Sequence, residues 1–218
     1  MSQLSDNIDV ILESIGSIFS ATDKAREKVL PLSREVIRHS GQTIRALHRR
    51  QLDQAADKLE RAGALLVELD GATSNHVELR HTGFFRDAQK EFAEASISLA
   101  LVTGQTLPGP DQLGIAPAAY LNGLAEAASE LRRYLLDSMR KDDLSRGEEL
   151  LSAMDEIYNA LVTVDFPDAI TGGLRRTTDV FRSVLEKTRS DLTLAIQQKS
   201  LENRLDDFRQ NYKGLKGD

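Results

Sequence analysis

Apolar residues return every three or four positions through almost the whole chain, and the stretches rich in glycine and proline fall between these runs. A chain patterned this way buries its apolar surface by packing helix on helix. Runs of β-branched residues that would seed strands are few. The spacing predicts a first helix over 4–49, kinked or broken near Pro31, because proline lacks a donor and clashes one turn back. Further helices are predicted over 51–69, 77–104, 117–141, 145–163 and 174–205. "GQTLPGPDQLGIAPAAY" reads as a linker with at most one helical turn, and "VDFPDAITGG" as a break with Gly172 and Gly173 as hinge or cap. The short connections expect packed antiparallel neighbours. The reading is an all-α fold of six or seven helices, one domain over residues 1–218, with the tail 211–218 frayed.

The expected core stripes are Phe85, Ala88, Phe92, Ala95, Leu99 and Val102 in the third helix, and Leu121, Leu124, Ala128, Leu131 and Leu135 in the fourth. Leu174, Phe181, Val184, Leu185 and Leu192 form a looser one in the last. With 218 residues the chain can bury such a core without staples. It has no cysteine, so disulfides and thiolate metal sites are excluded, which fits a reducing, cytoplasmic setting. The longest apolar runs, such as "ISLALV", fall well short of the ~20 residues of a membrane span, and the acidic, amphipathic start does not read as a signal peptide. A net charge of −6 argues against coating nucleic acid by bulk positive charge, which leaves the placement of the arginines as the question.

Between the stripes the polar residues are grouped by sign. Asp87, Glu91 and Glu94 lie within roughly 60° of one another on the third helix. Like charges at this spacing cost an isolated helix about 0.2–0.5 kcal/mol per pair. Lys90 stands one turn before Glu94, whereas Glu91 has no basic residue three or four positions away. The fourth helix adds Glu126 and Glu130, one turn apart, with Arg133 in line to pair with Glu130. Clustered carboxylates of this kind are the ligand set of a hard divalent ion. The same spacing also describes ordinary solvated faces, and Glu126 and Glu130 point away from their helix's core stripe. On the first helix Arg34, Arg38, Arg45 and Arg49 share a face within about 60°, opposite Val29, Val36 and Leu47, a row that could track a phosphate backbone or simply be solvated. Arg80, His81 and Arg86 follow just before the acidic stripe. Aromatic interleaving is sparse, so affinity for nucleic acid would rest on phosphates.

Four stretches carry a resemblance: "LSREVIRHSGQTIRALHR" at 32–49, "QKEFAEA" at 89–95, "YLNGLAEAASELRR" at 120–133 and, more loosely, "DSMRKDDLS" at 137–145. They resemble the translin family, and within it the catalytic branch of translin-associated factor X, in the manner of an archaeal single-chain member. The Y-L-x-G-h-x-x-x-x-x-E-L frame (h apolar) is the most specific of them, and the likeness spans about 20–200. It implies the translin-type bundle and a Mg²⁺-dependent ribonuclease site, with Mn²⁺ as a second possible ion. Glu91 and Glu94 match the glutamates of the branch's Q-E-x-x-E motif, Glu126 its third acid and Glu130 the glutamate of the E-L pair. The third acid is usually aspartate, and Glu126 is one methylene longer. Arg80 and Arg86 match arginines of translin's nucleic-acid-binding helix, whose histidines are replaced here. The resemblance also implies self-association into a hollow homo-octamer with RNA inside and the acids facing the cavity.

The function expected is a metal-dependent endoribonuclease cutting single-stranded or short duplex RNA to 5′-phosphate and 3′-hydroxyl products. Water activated by metal would attack phosphorus, and His81 is a helper or a plain surface histidine. The alternatives are a non-catalytic RNA- or single-stranded-DNA-binding protein like translin, and a helical scaffold.

Overall fold

The computed structural model describes the backbone of residues 3–215 and the side chains of residues 4–212. Among the described residues all regular structure is helical: α1 (Gln3–His48), α2 (Leu52–Ala72), a 3₁₀ turn (Val77–His81), α3 (Gly83–Thr103), α4 (Pro110–Leu113), α5 (Pro117–Met139), α6 (Gly147–Leu161), α7 (Asp168–Thr171) and α8 (Leu174–Leu215). The expected all-α class holds. The one-turn helices α4 and α7 fall in the two segments read as breaks.

Three boundaries differ from the sequence reading. First, α1 runs unbroken through Pro31. Proline deprives only the carbonyl one turn back of its donor, and that carbonyl belongs to Glu27, an exposed residue whose oxygen water can reach. Second, the helix expected over 77–104 is divided at Thr82, which is extended (φ −76°, ψ 154°) and donates its hydroxyl to the Leu79 carbonyl at 2.5 Å. The preceding residues wind as 3₁₀, and α3 starts afresh at Gly83. Third, α8 continues ten residues past 205, to Leu215; of the tail expected to fray, residues 216–218 lie outside the described residues. Gly172 caps α7 in the left-handed region at φ 65°, and Gly104 caps α3 at φ 69°.

Two compact units make up the chain, Met1–Gly123 and Leu124–Asp218, and the division falls inside α5, which is one continuous helix. In the first unit α1, α2 and α3 pack together. Val29, Val36 and Leu47 of α1, Leu65, Leu66 and Leu69 of α2, and Phe85, Phe92 and Ile97 of α3 are all buried. Gly63 lets α2 approach α3 closely: a Cβ there would stand 3.3 Å from Phe92 Cζ. In the second unit α6 packs on α8. Tyr158 meets Phe181 edge to face at 6.2 Å, Gly147 makes room for Leu192, and Arg189 pairs with Asp155 at 2.5 Å. Arg132 of α5 ties to Asp191 of α8 at 2.8 Å. The expected stripes are buried except at Leu99, Leu121 and Val184, which are half-buried.

Candidate metal centre and basic face

α3 is buried on most of its circumference, with Gln89, Phe92, Ala93, Ala95, Ser96, Ile97 and Ser98 all inaccessible. Its charged residues are therefore confined to the remaining strip. Glu91 and Glu94 lie on that strip, both half-buried.

Gly123 of α5 meets α3 at this point. A Cβ at Gly123 would lie 2.6 Å from Ala93 Cβ, 2.8 Å from the Lys90 carbonyl oxygen and 3.0 Å from the Glu94 nitrogen. Real Cβ atoms do not approach so closely, so only glycine lets α5 lie directly on the α3 backbone between residues 90 and 94. Glycine inside a helix costs about 1 kcal/mol relative to alanine, and this contact is what the residue gives in return. Glu126 follows Gly123 by three residues on the same unbroken helix, almost one turn on.

Glu91, Glu94 and Glu126 each offer a carboxylate oxygen, and these oxygens lie within 4.8 Å of one another; this is the metal-competent group found among the described residues. Glu130, half-buried on α5 one turn further on, is not part of it. The half-burial of Glu126 and Glu130 differs from the solvated face that the helical wheel expects, because a wheel shows only the angle to a helix's own core stripe and not what packs across it.

At a separation of 4.8 Å each carboxylate pair repels by about 1 kcal/mol in water and about 3.5 kcal/mol at an effective dielectric of 20. That exceeds the cost of like charges spaced on one exposed helix. Part of it is offset locally, for Lys90 Nζ stands 3.5 Å from Glu91 Oε1. Sequence reasoning set Lys90 against Glu94 one turn on and left Glu91 without a cation, since adjacent residues do not share a helix face. The glycine of the Y-L-x-G frame, Gly123, was not read there as a packing contact, nor Gln89 as buried, with its Oε1 accepting the Ala116 N–H at 3.4 Å ahead of α5.

Arg34, Arg38 and Arg45 of α1 are exposed on one face, opposite the buried Val29, Val36 and Leu47, and Arg49, also exposed, lies just past the end of the helix. Arg38 is held by Glu35, its Nε donating at 3.0 Å. This pairing lowers the Glu35 carboxyl below its ordinary value and raises the Arg38 guanidinium above its own. Beside it His39 is buried, and burial followed by the charge of Arg38 pushes its imidazole down. Gly41 continues the basic face, with Arg45 Nη1 lying 3.5 Å from where its Cβ would be.

Arg80 and Arg86 sit differently. Arg80 bonds the end of α2, with Nη2 at 2.8 Å from Asp70 Oδ1 and Nε donating to Thr73 Oγ1 at 3.2 Å. Arg86 donates Nε to the His81 carbonyl at 3.2 Å, and His81 itself is exposed. Arg80 therefore has a structural task that its spacing did not reveal. A separate cleft of about 710 Å³ beside α7, lined by Leu161, Phe166, Asp168 and Arg175 among others, contains none of the candidate residues.

No helix among the described residues is long and apolar enough to cross a membrane. No family profile matches the chain. The uncharacterized protein MJ0175 of Methanocaldococcus jannaschii is 31% identical over 185 residues, which are 84% of this chain and 82% of that protein. Among solved structures, AfC3PO in complex with duplex RNA superposes with a TM-score of 0.76 at 32% identity, covering 86% of this chain and 97% of that one. AfC3PO in a second crystal structure gives 0.79 at 31% identity over the same shares. Apo-NeC3PO gives 0.76 at 15% identity over 84% and 96%, a likeness of fold alone.

Proposed function

Because this chain belongs to the translin family, in its archaeal C3PO type, we propose that it binds RNA and cuts it hydrolytically at a divalent metal ion held by Glu91, Glu94 and Glu126. The observation that supports this best is the convergence of three carboxylates from α3 and α5 within 4.8 Å. The donor set fits the group. Mg²⁺ takes oxygen ligands and commonly uses only a few carboxylates, keeping water in its other positions, and these three glutamates would supply such oxygens. Mn²⁺ is the second candidate. When bound, the ion would supply an acidified water and charge compensation at phosphorus.

The chain's own residues do the rest. Glu91, Glu94 and Glu126 orient and neutralise. Lys90, 3.5 Å from Glu91, tempers their charge. Glu130, half-buried one turn further along α5, would add negative charge beside the centre. Half-burial limits bulk water at the carboxylates and strengthens their field. Arg34, Arg38, Arg45 and Arg49 form the phosphate track, with Arg86 as a further contact. Arg80 contributes only as far as its bonds to α2 allow.

The ligand class is RNA, single-stranded or short duplex, as a related chain, AfC3PO, is found with duplex RNA. The protein acts in the cytoplasm as a self-associated shell, a homo-octamer, with the acids on the inner wall. The test is cleavage of labelled RNA by the wild type and by Glu91→Ala, each with Mg²⁺ and with EDTA. Cleavage by the wild type with Mg²⁺ alone is expected. Cleavage that persists in EDTA or in the variant contradicts the site. Binding without turnover under any divalent ion would instead favour a non-catalytic RNA-binding protein.

A further inference from the structure

Lys90 is placed unlike most lysines of the chain. Its side chain is 26% exposed, whereas Lys24, Lys28, Lys58, Lys141 and Lys187 are exposed. Lysine on a helix surface ordinarily carries its ammonium out to water. Here the ammonium turns to the carboxylates, 3.5 Å from Glu91 Oε1, although adjacent residues on a helix point about 100° apart. The backbone beneath it is held as well. The Lys90 carbonyl oxygen lies against Gly123, 2.8 Å from where a Cβ would stand. Lys90 is therefore rooted where α5 meets α3, and its charged end stands beside the group formed by Glu91, Glu94 and Glu126.

The centre carries more negative charge than one ion uses. Mg²⁺ is typically held through one or two carboxylates. Here Glu91, Glu94, Glu126 and Glu130 are all half-buried, where water and salt screen a charge less than at the open surface. Asp87 and Arg133, in line with these acids on α3 and α5, are exposed and of opposite sign. Taken with Lys90, the four carboxylates leave three negative charges. One divalent ion brings that to one, and a second would turn the centre positive. Without Lys90 the same carboxylates match two divalent ions in full. The lysine is the difference between a centre for one ion and a centre for two.

We propose that the Lys90 ammonium is the built-in second cation of this centre and limits it to one divalent ion per chain. This role presupposes the metal reading above and adds to it what fixes the number of ions. Lysine suits the task. An ammonium offers three donors and no acceptor, so it compensates oxygen anions as a point charge. Its covalent tether keeps it beside Glu91 at every concentration of divalent ion, and no chelator draws it off.

Mn²⁺ titration of the full-length protein without RNA tests this, because free Mn²⁺ gives a sharp paramagnetic resonance signal that bound Mn²⁺ loses. Ions bound by the wild type and not by the double variant Glu94→Gln, Glu126→Gln belong to the centre rather than to the acidic surface at large. The wild type is expected to bind one such ion per chain. Lys90→Met and Lys90→Gln, which remove the charge, are each expected to bind two. The first of these should bind at least about tenfold more tightly than in the wild type, since no positive charge beside it opposes the ion. Lys90→Arg, which keeps the charge, is expected to bind one. Two ions in the wild type, or a single ion in both charge-removing variants, overturns the proposal and leaves the metal reading standing. No difference between the wild type and the double variant contradicts the metal reading itself, and this role of Lys90 with it.

Discussion

Glu126 is where a single methylene bears on chemistry. Its side chain reaches the α3 glutamates from the other helix, so Glu126→Asp should retain cleavage at a reduced rate. Glu126→Gln keeps the shape and removes a charged ligand, and should lose on the order of a hundredfold or more in single-turnover cleavage of labelled RNA. Arg80 separates structure from binding. Arg80→Ala removes its bonds to Asp70 and Thr73 and should cost about 1 kcal/mol in a urea melt, since the group is half-exposed, while leaving the salt dependence of RNA binding close to wild type. His39 titrates in the opposite sense to a paired histidine. Its folded-state value lies below the unfolded one, so between the two the unfolded chain binds more protons and stability rises with pH. Thermal melts should therefore show a midpoint that falls as pH drops below about 6.5, and His39→Gln should flatten that slope.

At the scale of elements, the helices were legible because 3.6-residue periodicity survives wherever a face is buried. It failed where local geometry or water intervened: Thr82 split the third segment, and the exposed carbonyl of Glu27 let α1 pass Pro31. The last turns of α8 were missed because they bury nothing. Their contacts run along the helix surface, such as Arg209 with Asp206 at 3.6 Å and Phe208 stacked on Tyr212 at 6.2 Å, which leave no core stripe to read. The carboxylates were legible as two pairs on two helices. That Glu126, with Glu91 and Glu94, makes the group while Glu130 falls outside it depends on how α5 crosses α3, which Gly123 sets. Gly123→Ala should destabilise the fold by about 1–3 kcal/mol by overpacking and weaken Mn²⁺ binding in a titration, whereas Gly71→Ala, with open space around it, should do neither. At the end of α1, Arg45→Ala with Arg49→Ala, the second just past the helix, should lower the slope of log affinity against log salt by about two in a filter-binding titration.

At the scale of the whole molecule, family membership brings together what the residues left open singly. The acidic strip and the basic face each had an ordinary reading as solvated surface; for the acidic strip the half-burial and convergence of the carboxylates weigh against it, while the arginines of the basic face are exposed. Assembly was not legible in the same way, since a helical wheel cannot tell water from a neighbouring subunit. The central claim is that one protein binds RNA with its arginines and cuts it with three converging carboxylates. Its most direct measurement follows binding and cleavage together, by gel shift in EDTA and product formation in Mg²⁺, for the wild type and Glu126→Gln. The account predicts equal gel shifts and cleavage by the wild type alone. Equal cleavage by the variant, or a wild type that binds and never cuts with Mg²⁺ or Mn²⁺, would contradict it.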